Sequence, residues 1–161
     1  MTLRYTKILM MLMVGLFGLI AASFNLMQMD SDLAQVSQVV IGAGASGVAD
    51  WQKIESSWLV TLCWSVIPTA KILCGLLCLL CVKQMWSARH SDLLGFQLSK
   101  AMGIAGCGIM LAMLFGVFIL VSETWFQQWQ TELGAGILGA AERYIISIGV
   151  LVFFVNLPDH R

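Results

Sequence analysis

The chain has 161 residues, 59% hydrophobic and 11% charged, with nine basic and nine acidic side chains and a mean hydropathy of +0.86. Soluble domains average roughly 45–50% apolar and about 25% charged, so this composition excludes an ordinary soluble domain. Zero net charge offers no basic surface for nucleic acid.

The first apolar run covers about 8–27, long enough to cross a bilayer, which takes roughly 20 residues as a helix. Arg4 and Lys7 before it, with Ala21-Ala22-Ser23 near its end, also fit a signal peptide. An uncleaved first helix is the preferred reading. Small residues Gly15, Gly18 and Ala22 recur along it.

A loop of roughly 30 residues, 28–57, follows. It holds Gly42-Ala-Gly44-Ala-Ser-Gly47 after a possible short strand, Ser37–Ile41. This matches the Gly-x-Gly-x-x-Gly fingerprint of dinucleotide-binding folds. That fingerprint needs a second strand and an acidic residue about 20 residues on. Here the next element is a membrane span, so no dinucleotide is expected, and the glycines read as a tight turn or a close packing point.

The second span, about 58–82, contains Pro68 and Lys71. Pro68 removes a backbone hydrogen bond and frees the carbonyl of Trp64, which predicts a kink. A lysine at mid-span costs about 2.5–3.5 kcal/mol on insertion scales. Such a residue snorkels or faces a partner, a cavity or a ligand. Ser147 of the fourth span lies at similar depth as an acceptor, and no carboxylate of the chain is expected there. Cys74, Cys78 and Cys81 have the spacing of an iron–sulfur triad and share one helix face. Ionising three thiols in hydrocarbon is costly, so they read as small apolar side chains, as do Cys63 and Cys107. No metal and no cofactor is expected.

The third span, about 101–122, carries Gly108-x-x-x-Ala112-x-x-x-Gly116, with Gly103 and Gly106 before it, small residues that let helices approach closely. This stripe faces either the bundle or another protein. Trp125, Phe126 and Trp129 alternate with Gln127, Gln128 and Gln130 and read as a flat outer segment with its rings in the headgroup layer. The fourth span, about 137–157, begins near Glu142 and Arg143, interfacial anchors, and ends at Asn156-Leu157-Pro158-Asp159. Pro158 stops the helix there.

Six of the nine Lys and Arg residues lie on the side of Arg4, Lys83, Arg89 and Arg161. By the positive-inside rule both termini are cytoplasmic, and 28–57 lies outside. Trp51, Trp58, Trp125, Trp129 and Tyr144 mark the outer interface. The expected architecture is an all-α, antiparallel four-helix membrane bundle forming a single domain, 1–161.

The Trp125-Phe126-x-x-Trp129-Gln130 segment and the terminal Asn156-Leu157-Pro158-Asp159 resemble a bacterial family of predicted small integral membrane proteins of unknown function. Asn25, Trp51, Ile54 and Trp86 also fall at family-like positions. The resemblance implies four membrane helices. Lys71 departs from it, standing where relatives often carry an acidic residue, and the glycine motif does not look like a family feature.

The function expected first is an accessory or assembly subunit of a larger bacterial inner-membrane complex, without chemistry of its own. Its partners would be membrane lipids and either that complex or further copies of the chain. The alternatives are a binder of a quinone or lipid headgroup, or an oligomeric transporter or channel.

Overall fold

Residues 2–158 are described by a computed structural model. They form α1 (Thr2–Met27), α2 (Met29–Val40), α3 (Ser57–Ser87), α4 (Leu93–Leu98), α5 (Ala101–Met113) and α6 (Glu132–Asn156). The helix of α5 continues without a break as a π-helical stretch, Leu114–Trp125. Short 3-10 turns occupy Asp50–Gln52 and Gln128–Gln130. Among the described residues four helical stretches are long and apolar enough to cross a membrane: Thr2–Met27, Ser57–Ser87, Leu93–Trp125 and Glu132–Asn156.

Each stretch outruns its apolar core because polar flanks keep their backbone hydrogen bonds inside the helix. The fourth begins five residues before the expected 137. Thr131 caps it, its Oγ1 accepting from the Gly134 N–H at 2.9 Å, the standard remedy for unpaired N–H groups at a helix start. Asp92 does the same for α4, accepting from Gly95 N–H. α3 runs from Ser57 to Ser87 through Pro68, without interruption.

The expected 30-residue loop needs correction, since α2 occupies its first half. Ser37–Ile41 is no strand: it is helical through Val40. Val36, Val39 and Val40 recur at helical spacing and pack with Val60 and Phe126 in a small apolar cluster. α1 and α2 are nearly one bent helix. Backbone bonds Gln28 N–H to Phe24 O and Asp32 N–H to Gln28 O, both 2.9 Å, span the bend.

The glycine motif forms the turn after α2. Gly42, Gly44 and Gly47 have φ of 66°, 77° and 92°, the left-handed region that glycine enters without steric cost. The loop lies on the chain's own 127–131 segment. Gln130 accepts from the Ser46 N–H (2.9 Å) and hydroxyl (2.5 Å) and returns a bond to the Ser46 carbonyl. Next to it, Trp51 meets Trp125 edge to face with ring centroids 5.5 Å apart.

Close helix approaches do not use the expected stripe. A Cβ added at Gly108 or Gly116 would meet nothing within 4 Å, and Ala112 is exposed. The bundle closes instead at Gly15, Gly18 and Gly75, between α1 and α3, and at Gly103 and Gly106, between α3 and α5. A Cβ on Gly18 would lie 2.8 Å from the Lys71 carbonyl oxygen, and one on Gly103 2.7 Å from Cys81 Sγ. Cys74, Cys78, Cys81 and Cys107 fill this seam, wholly or almost wholly buried as free thiols. Among the described residues no group of His, Cys, Asp and Glu is arranged to hold a metal.

The opposite end is tied together by basic side chains. Arg4 donates to the carbonyls of Arg89 and Ser91 and stacks over the buried Phe96 ring, 4.6 Å from its centroid. Lys7 and Lys100, both fully buried, donate to the Leu157 carbonyl at 2.6 and 3.1 Å. Cations at a helix C-terminus suit its partial negative charge. Asp159 and Arg161, used in the sequence reading, lie outside the described residues.

Candidate binding cavity

Trp64, Ile67 and Lys71 stand at i, i+3 and i+7 on α3 and therefore share one face. That face turns toward α1, α2 and the π-helical stretch. The contact of Gly18 with the Lys71 and Gly75 backbones brings α1 against α3, and Asn25 follows two turns beyond Gly18. Side chains tilt toward the N-terminus of their helix, so Lys71 leans along α3 toward Asn25.

The result is a three-residue polar relay. Lys71 Nζ donates to Asn25 Oδ1 at 2.5 Å, and Asn25 Nδ2 donates to Asp32 Oδ2 at 2.7 Å. Asp32 also acts electrostatically on Lys71. Ser147, the acceptor expected from depth alone, is exposed on α6. The expectation that no carboxylate comes near Lys71 is likewise corrected. Depth along the spans does not capture Asp32, because the bend at Gln28 carries α2 back over the bundle.

The relay borders a cavity of about 360 Å³, within the range of small-molecule sites. Its walls are apolar: valines of α2, Ile67 of α3, and Val117, Phe118 and Val121 of the π-helical stretch. Phe126 and Trp64 add aromatic surface, and Ser122 and Gln35 add polar groups. Val66 and Val121 are 44% and 41% exposed, so the cavity communicates with the surface of the bundle. Trp64 is 6% exposed, and its indole Nε1–H is buried without a hydrogen-bond partner among the described residues. A buried unpaired donor costs about 1–3 kcal/mol and asks for an acceptor. The wall opposite is the π-helical stretch, where Phe126 N–H bonds Val121 O five residues back at 3.0 Å. π-Helical turns are rare and frequently lie at functional sites.

Of the residues singled out in the sequence, Lys71 borders the cavity and Pro68 lies buried on the same helix between Trp64 and Lys71. Trp125 and Trp129 are exposed near the glycine loop, but the flat segment expected around them is corrected: Trp125 ends the π-helical stretch, and Phe126 and Gln128 are buried, Phe126 against Val40 and Val60. Glu142 and Arg143 are exposed on α6, away from the cavity lining. Asn25, Asp32 and Trp64 carry the site and were not legible as such. The available signal was the helical spacing of Asn25 and Asp32 across Gln28.

A family profile described as "Predicted small integral membrane protein (DUF2165)" matches residues 3–158. The chain belongs to this family. It is thus a multi-pass integral membrane protein, and the Asn25, Asp32, Trp64 and Lys71 positions all fall within the matched stretch. No curated protein and no solved structure matches the chain.

Proposed function

We propose that this protein is a membrane-embedded binding protein that holds a small lipid-soluble molecule in the cavity between α2, α3 and the π-helical stretch, without catalysis. The observation that carries this is the Trp64 indole N–H, buried and unpartnered beside an apolar cavity with the Lys71–Asn25–Asp32 relay on its border. Apolar walls with a few convergent polar groups are the usual make-up of small-molecule sites.

The proposal includes an antiparallel bundle in a bacterial inner membrane, with both termini cytoplasmic. In support, Arg4, Lys7 and Lys100 gather around Phe96 and Leu157 at one end, with Arg89 beside them on Trp86, as cytoplasmic basic clusters do.

A second reading, an accessory or assembly subunit of a larger complex, is favoured by the uncovered stripe Gly108, Ala112 and Gly116. Lys71 no longer supports it, since its ammonium has a partner inside the chain. The two readings are compatible.

Native mass spectrometry from mild detergent tests the binding role. Wild type should carry a small-molecule adduct that Ile67→Trp, which fills the cavity, loses. Equal adduct occupancy in both, or none in wild type, contradicts it.

A further inference from the structure

From the distribution of donors and charges around the cavity we infer that its ligand is an uncharged lipophile with a carbonyl-bearing ring, of the quinone type. The inference rests on the binding role proposed above and names the ligand class.

Charge sets the first condition. Lys71 supplies a cation and Asp32 an anion, joined through Asn25, so the polar border is balanced within the chain. A ligand carrying a net charge would enter apolar walls without a free counter-charge, at a large desolvation cost. The ligand is therefore neutral.

Hydrogen bonding sets the second. Trp64 Nε1–H is a donor with no acceptor among the described residues. An ammonium has three donors, and the bond to Asn25 uses one of those of Lys71. Asn25 has already committed Nδ2 to Asp32 and Oδ1 to Lys71. On the α3 side the cavity border thus carries unused donors, those of Lys71 at the lining and the covered Trp64 N–H behind it, while Asp32, Gln35 and Ser122 bring acceptors on the other walls; a ligand group seated against α3 brings an acceptor. A carbonyl oxygen meets that need.

Shape sets the third. Trp64, Phe118 and Phe126 present rings around the space, and aromatic faces pair well with a flat ring. Exposed Val66 and Val121 give a route for an apolar tail to leave the cavity toward lipid. A flat diketone ring with one long apolar substituent satisfies all three conditions.

The test is a binding titration by isothermal calorimetry on full-length protein in detergent. The probe is a fully substituted decyl-benzoquinone, compared with dioctanoylglycerol, which is neutral and ester-bearing without a ring, and with decanoate, which is charged. The quinone should bind saturably and at least tenfold more tightly than either comparator. Trp64→Phe keeps an aromatic body and removes the N–H; it should weaken quinone binding about tenfold, roughly one hydrogen bond. Trp129→Phe, exposed and outside the cavity, should leave it unchanged. Should Trp64→Phe fail to fold, Lys71→Met serves in its place with the same expectation. Equal binding of dioctanoylglycerol or decanoate overturns the quinone class and leaves the binding role standing. No binding of any probe overturns both. Quinone binding unaffected by either variant overturns the assignment to this cavity.

Discussion

Lys71 Nζ is hydrogen-bonded to Asn25 Oδ1, across the contact between α3 and α1, two turns along α1 from Gly18, which meets the Lys71 backbone. A mid-span lysine therefore has its acceptor on the neighbouring helix, and Asp32 completes the charge balance through Asn25. The same three side chains border the cavity.

This relay predicts strong coupling between its ends. Lys71→Met leaves Asp32 without its cation, and Asp32→Asn leaves Lys71 without its anion. Each single variant should lower the thermal unfolding midpoint in detergent. The double variant should lose less than the sum, with an interaction energy of about 0.5–3 kcal/mol. Additive losses would mean that the two residues do not act together.

Glycines that look alike in the sequence should respond oppositely to alanine. Gly18→Ala sets a Cβ 2.8 Å from a backbone carbonyl that cannot swing away; overpacking of this kind costs about 1–3 kcal/mol. Gly108→Ala meets open space and should be neutral or stabilising by up to about 1 kcal/mol, the helix-propensity difference. Thermal unfolding of the two variants beside wild type decides. Gly108→Leu should likewise keep its stability. If it also loses a co-purifying protein, the accessory reading gains its partner surface.

The glycine loop should depend on Gln130. Gln130→Ala removes three hydrogen bonds to Ser46 and should raise both hydrogen exchange and protease cleavage within 42–49, while the spans stay protected. Gly44→Ala, at φ 77°, should loosen the same segment through backbone strain. Unchanged exchange in both variants would show that the loop is held elsewhere.

At the other end, Lys100→Met removes a donor from the Leu157 carbonyl and a cation 5.2 Å from the Phe96 centroid. Faster hydrogen exchange over the last turn of α6 is the expected outcome, with the α1–α3 seam unaffected.

Much of the fold was legible because lipid leaves few options. Long apolar runs must be helices when every backbone group needs an internal partner, and four such runs stand out. Their ends were less legible, since Thr131 and Asp92 caps extend helices into polar sequence. α2 was missed because glycines and acids dominate its surroundings, while its Leu33, Val36 and Val40 period is short. Lys71 stood out by its charge alone. Its partners did not, because Asn25 and Asp32 become neighbours only through the bend at Gln28, which has no glycine or proline to announce it. The stripe at Gly108 satisfied the small-residue pattern as well as Gly15 and Gly18 did. Spacing tells which residues share a face but not which face is covered.

Cys63 allows the cavity to be probed directly. It is a half-buried free thiol on the cavity lining, whereas Cys74, Cys78, Cys81 and Cys107 are buried in the helix seam. The decisive measurement is the alkylation rate of Cys63 by a lipophilic maleimide in reconstituted, delipidated protein, with and without the decyl-benzoquinone at saturation. Bound quinone should slow alkylation at Cys63 severalfold, and Ile67→Trp should abolish the protection. An unchanged rate at Cys63 with the quinone present would contradict this.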